Sequence, residues 1–205
     1  MKKIITVLAT AVLLFASCGD KAQKEKSVKI GIAKIVQHPA LDDIEKGAID
    51  VLNENNIKAE YDLQNANGDV NTAMQIANQY KVKKVDVAVG IATPVAVALA
   101  TTLKDIPVVF GTVTDPLGAG LVDTLEHGKN NVTGMSDAIP TVEHIKMFAN
   151  IAGIKTLGYI YTSNEANSVS SLELVKQGCK EAGLELVTQS ITQSSEVKQA
   201  AEAIV

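Results

Sequence analysis

Two pairs of a polar residue and a proline carry the clearest chemical signal in the chain. They are Thr93-Pro94 and Asp115-Pro116, within VDVAVGIATPVAVALATTLKDIPVVFGTVTDP from Val85 to Pro116. Each follows a short Val-rich apolar run, Val85 to Val89 or Pro107 to Phe110, and each reads as a helix start with the polar side chain as N-cap and proline at the first helical position. A helix N-terminus presents free N–H groups and partial positive charge, so it stabilises a carboxylate. Thr93 suits that task because a hydroxyl adds a donor without repelling an anion. Asp115 would repel a carboxylate and better suits an ammonium group or a ligand N–H.

Other strand ends offer similar groups. Thr112 and Thr114 flank the end of the Pro107 to Phe110 run, and His38 follows the first strand. Asp137 gives a second anionic position, and Ser163, Asn164 and Asn167 lie in TSNEANS after a later strand. Each has a plain structural alternative: Thr93 and Asp115 as caps, His38 as a strand terminator, Asp137 as a solvated hinge residue, and the TSNEANS residues as a turn before a helix. Asp115 and His38 could in principle form an acid/base pair, but no third group orients them. There is no G-x-S-x-G elbow, Walker sequence or G-x-G-x-x-G after a strand, and Gly118-Ala119-Gly120 falls inside an expected helix. The three His residues are scattered with no metal-ligand spacing, so neither a metal nor a cofactor is expected.

Composition narrows the class further. The chain has 205 residues, a net charge of -4 and 20% charged residues, which leaves no basic footprint for nucleic acid. Aromatic residues make up 3% and Trp is absent, which disfavours a base-stacking platform. The 46% hydrophobic content argues for a packed core.

Several elements must position the strand-end groups. Val28 to Ala33 reads as a first strand, and after His38-Pro39 the residues Leu41, Ile44, Ala48, Val51 and Leu52 share a helical face that Asn55-Asn56 ends. Lys58 to Leu63 reads as an edge strand because of its charges. Asn67-Gly68-Asp69 is a turn with Asp69 as N-cap, before a helix with Ala73, Met74, Ile76, Ala77 and Tyr80 on one face. Val85 to Val89 is a third strand, Pro94 to Leu103 a helix, Pro107 to Phe110 a fourth strand, Leu117 to Leu125 a further helix and Asn131 to Met135 a fifth strand. This is a doubly wound α/β lobe.

SDAIP at 136–140 interrupts that rhythm and reads as a crossing segment. A second series follows: a helix from Val142 to Ile151, a strand from Thr156 to Tyr161, a helix from Val169 to Ala182, a strand from Glu185 to Ser190 and a helix from Glu196. Two strands make a poor independent sheet, so the second lobe is expected to be incomplete in this chain. The expected division is a signal segment over 1–17, a tether over 18–27, a first lobe over 28–135, the crossing over 136–140 and a partial second lobe over 141–205.

Lys2 and Lys3, the apolar run Ile4 to Phe15 and Ala16-Ser17-Cys18 have the layout of a secretory signal. Cys18 at the boundary resembles the lipobox of bacterial lipoproteins, with an ordinary signal and an incidental Cys as the alternative. Lipid on Cys18 would tether the domain to a membrane surface. Cys179 falls in a helical pattern and reads as a buried structural thiol.

The blocks KIGIAKIVQHPALDDIEKG, YDLQNANGDVNTAMQIANQ, VDVAVGIATPVAVALA, IPVVFGTVTDPLGAGLV and NVTGMSD together resemble one family. They are similar to the solute-binding lipoproteins of ABC importers with the type I periplasmic-binding fold, in particular the subgroup for tryptophan or tyrosine uptake. The resemblance implies two doubly wound parallel-sheet lobes, joined by crossing segments, that close on a small amino-acid-like molecule. It also implies an ABC permease and its ATPase as partners, and further chain that completes lobe two. A membrane-tethered ligand sensor of the same fold is the alternative, and an α/β enzyme a distant third.

Overall fold

The structure is a computed structural model that describes residues 27–204. The expected signal segment, the expected lipidation site Cys18 and all of the expected tether except Ser27 lie outside the described residues.

The first sheet has five parallel strands in the order β2-β1-β3-β4-β5: β1 (Val28–Lys34), β2 (Ala59–Asn65), β3 (Val87–Ile91), β4 (Val108–Val113) and β5 (Val132–Ser136). Strand β2 lies at the edge, as its charges suggested. Helices α1 (Pro39–Glu54), α2 (Val70–Lys83) and α3 (Thr93–Thr102) follow β1, β2 and β3. The two-residue period of β1 divides the lobe into layers. Ile30 and Ile32 face α1, with Ile91, Leu41, Ile44 and Leu52 around them. Ala33 faces the larger core that α2 and α3 cover with Ala73, Ile76, Ala77, Tyr80, Val95 and Leu99.

Gly31 belongs to that second face for a steric reason. A Cβ there would meet the Tyr80 ring at 2.7 Å, so the glycine is the seat on which the aromatic ring lies. The Tyr80 hydroxyl points at the carbonyl oxygens of Ile32 (2.9 Å) and Asp62 (2.8 Å), and burial together with the nearby Asp62 and Glu45 carboxylates pushes its ionisation far above the usual phenol range. Gly90 plays a similar part under α3, where a Cβ would come within 2.9 Å of the Ala96 backbone.

The second sheet pairs β6 (Thr156–Thr162) with β7 (Glu185–Ile191) in parallel. Helices α4 (Thr141–Ala152), α5 (Ala166–Ala182) and α6 (Val197–Ile204) accompany it. Close packing of α4 on α5 depends on Gly178, where a Cβ would approach Ile145 to 2.9 Å. The architecture is therefore α/β, with two parallel-sheet lobes of which the second has two strands among the described residues.

One expected element is absent. No helix forms over Leu117 to Leu125; the chain makes a single turn, with Ala119 N–H bonded to the Asp115 carbonyl and Leu121 N–H to that of Pro116. Gly118 and Gly120 weaken helix propagation, and Gly120 takes a φ of +70°. The segment then runs into an isolated bridge between Val122 and Gly128. Leu121 and Val122 still reach the core, which explains why their spacing mimicked a helix face. Strands β3 and β4 also extend further toward their carboxyl ends than the apolar runs indicated. Lys84 closes α2 in the left-handed conformation, and Val85 and Asp86 serve as the link into β3.

Candidate functional site

The carboxyl ends of β1, β3, β4 and β5 lie along one side of the first sheet, and the segment that leads to the helix at Thr141–Ala152 leaves from β5 there. The edge between β3 and β4 is held in two uncommon backbone conformations. Ala92, immediately after β3, has φ 77° and ψ 153°, a region that residues with a Cβ rarely enter. Thr112, in β4, has φ 59°, unusual for a β-branched residue. The two are neighbours, since Ala92 N–H donates to the Gly111 carbonyl at 3.0 Å. Thr112 sits at a bulge: Phe110 pairs with Gly134, whereas Val113 pairs with Ser136, so β4 carries one extra residue there. Such conformations are worth of order 1–3 kcal/mol each and concentrate at ligand sites.

Ala92 also changes the expected cap. Thr93 is not the N-cap of α3; Ala92 is, with no side-chain cap bond, and Thr93 is the first helical residue. Because Ala92 turns the chain abruptly, the helix begins one residue earlier than proline at the first helical position would have it. Thr93 is a buried polar residue, only 2% exposed. Its hydroxyl makes no hydrogen bond to a described residue. With Pro94 lacking an N–H, the first turn of α3 leaves the Thr93 and Val95 N–H groups without intrahelical partners.

The other candidates divide into two sets. His38, Asp115 and Ser163 are already engaged by the protein. His38 is the N-cap of α1, its Nδ1 accepting from Ala40 N–H at 3.3 Å. Ser163 donates its hydroxyl to the Ile191 carbonyl at 3.3 Å, tying the end of β6 to β7. Asp115 does not start a helix as expected; it caps the single turn by accepting Gly118 N–H at 2.8 Å, and accepts the Ser170 hydroxyl of α5 at 2.8 Å. The side chains of Thr93, Thr112, Thr114, Asp137, Asn164 and Asn167 make no such bonds within the described residues. The Asn167 carboxamide oxygen is buried as well as unpartnered. That is a costly state for an acceptor, and one that an arriving N–H donor would relieve.

Asp115 and Ser170 belong to different lobes, and a cavity of about 420 Å³ lies against them. It is lined by Thr114 and Asp115 from lobe one, Ala138 and Ile139 from the segment between β5 and α4, Thr141 from the start of α4, and Ser170, Glu173 and Leu174 from α5. Five of these eight residues are polar, but the surface they present to the cavity is mainly apolar, as in small-molecule sites. Lys34, at the end of β1, was not singled out from sequence. Its ammonium contacts Asp42 at 2.6 Å and Glu45 at 3.1 Å. Burial by itself would lower its pKa, but the two carboxylates outweigh that and hold it above the ordinary lysine value. No group of three or more His, Cys, Asp or Glu residues among the described residues could hold a metal ion.

Comparisons with known proteins agree with this two-lobed arrangement. The chain is 34% identical over 225 residues to a "Tyrosine-binding protein" of Clostridioides difficile (strain R20291), covering all of this chain and 65% of that relative. Among solved structures, an ABC domain in complex with L-Trp from Streptococcus pneumonia matches with 35% identity and a TM-score of 0.81. A ligand-free, open structure of a substrate binding protein with adhesive properties from Clostridium difficile matches with 36% identity and a TM-score of 0.59. Both alignments cover 87% of this chain and 62% of the other. The chain thus spans somewhat less than two thirds of these relatives' length, in keeping with a second lobe that is incomplete here. The model of the family "ABC transporter substrate binding protein" matches residues 29–205, and the chain belongs to that family.

Proposed function

We propose that the protein carrying this chain captures a small amino-acid-like solute between its two lobes and delivers it to an ABC permease driven by its ATPase. The observation that carries this reading is the superposition of the chain on an L-Trp complex at 35% identity and a TM-score of 0.81. In this reading the free groups at the strand ends are the ligand contacts. The first turn of α3 and the Thr93 hydroxyl take the ligand carboxylate, a charge-assisted arrangement that needs no cation. Thr112 and Thr114 add donors from β4 and its end. Asp137 and the Asn167 carboxamide oxygen accept from an ammonium group, and Asn164 is a further contact from lobe two. The apolar walls contributed by Ile139 and Leu174 suit an aromatic or aliphatic side chain.

Cys18 is the proposed lipidation site, and its lipid would hold the protein on the outer face of a bacterial membrane near its permease. The division into signal segment, tether, first lobe, crossing and second lobe at residues 17, 27, 135 and 140 is part of the same proposal. Metabolic labelling with a palmitate analogue checks the anchor: label should enter the wild type and be lost in Cys18→Ser. Label in both would move the attachment elsewhere.

Calorimetric titration of the full-length protein with L-tryptophan and L-tyrosine tests the ligand site. Thr93→Val keeps the side-chain shape and removes the hydroxyl, so affinity should fall roughly tenfold or more while the unfolding temperature stays close to wild type. Unchanged affinity would remove Thr93 from the site.

A further inference from the structure

The two oxygens of Asp115 have different partners, and the difference points to a job other than ligand binding. Oδ1 accepts the Gly118 N–H at 2.8 Å within the same turn, which fixes the carboxylate on lobe one. Oδ2 accepts the Ser170 hydroxyl at 2.8 Å from helix α5 of lobe two. Gly118 is essential to this geometry for reasons of space. It does not have a positive φ, yet a Cβ on it would overlap Asp115 Oδ2 and lie 3.1 Å from Ser170 Oγ. The glycine therefore clears the path along which the carboxylate reaches across the cleft. The chain as a whole superposes on the L-Trp-bound relative with a TM-score of 0.81 and on the ligand-free, open one with 0.59.

We propose that Asp115, Gly118 and Ser170 form an interlobe positioning contact that holds the cleft closed. Asp115 then acts on the lobes and not on the ligand. The contact rests on the reading that the cleft between the lobes holds a small solute, and it adds the residues that set how long the solute stays. A charged acceptor and a hydroxyl donor across a closing interface stabilise the closed form after encounter, so their effect belongs to dissociation more than to association.

Stopped-flow fluorescence of L-tryptophan binding to the full-length protein tests this directly. In Ser170→Ala and Asp115→Asn the dissociation rate should rise roughly tenfold, with association changed by less than about twofold. Ser170→Thr, which keeps a hydroxyl, should restore most of the wild-type rate. A merely structural role would lower the unfolding temperature and leave dissociation as it was, and that result overturns the proposal. If L-tryptophan does not bind the wild type, the solute-binding reading is at fault for that ligand and the contact is judged by small-angle X-ray scattering of the ligand-free proteins. A larger radius of gyration for Ser170→Ala than for wild type would support the contact, and equal radii would overturn it.

Discussion

Lobe one buries Ile32, Ile91, Leu99 and Val113 completely between α1 on one face of a five-stranded sheet and α2 with α3 on the other. In lobe two the buried apolar residues are Leu172, Val175, Cys179, Ile191 and Ala200 among those described, while Met147, Phe148 and Ile151 on α4 stand largely open to solvent. The same strand-and-helix alternation produced both. What separates them is the number of strands over which apolar faces can be shared. A two-stranded sheet gives its helices too little to cover, and its own strands stay half-exposed. Lobe one supplies strand ends and a helix start backed by a closed core, whereas the described part of lobe two leaves one face of α4 uncovered.

The largest expected contrast is in hydrogen exchange of the chain as described. Amides of β1, β3 and β4 should exchange at least about a hundredfold more slowly than those of β6 and β7, because the latter open without breaking the main core. Equal protection would mean that the lobes unfold as one unit. A packing change sharpens the same point. Leu99→Ala should destabilise the chain by about 2–5 kcal/mol in urea, whereas Ile151→Ala on the exposed face of α4 should stay within about 0.5 kcal/mol. Gly31→Ala should lie between them at about 1–3 kcal/mol, from the clash with the Tyr80 ring.

Much of lobe one was legible because its signals are local. Asp69 stands as N-cap of α2, accepting Thr72 N–H at 2.6 Å, as the Asn67-Gly68-Asp69 turn suggested. His38 before Pro39 opens α1, and Asn55 closes it. The strand series follows from apolar runs too short for helices. The misreadings have a common physical source. Leu117, Leu121, Val122 and Leu125 repeat at helical spacing, but the two glycines and the bridge at Gly128 bend the segment into a loop that still buries Leu121 and Val122. Nothing in the composition around Ala92 announces its strained backbone, which comes from joining β3 to a helix that lies almost against it at Gly90. Ser170 reads as one more polar residue on a helix, and its partner is 55 residues away.

The smallest expected effect concerns the cap of α2. The Asp69 carboxyl is held below its ordinary pKa, first by the backbone N–H of Thr72. Its contribution is therefore present above the unfolded value of about 3.9 and is lost as pH falls through the folded one. Asp69→Asn should lower the urea midpoint slightly at neutral pH, and the gap from wild type should close near about pH 2. A gap of equal size at both pH values would show that the carboxylate charge plays no part in the cap.

Native mass spectrometry of the full-length protein, with any retained molecule released and weighed, tests the central claim most directly. That claim is a small amino-acid-like solute held between the two lobes. An amino-acid mass in the wild type, lost or reduced in Thr93→Val, is the expected result. A retained sugar or nucleotide mass, or an amino acid held equally by both proteins, would contradict the assignment of the cleft.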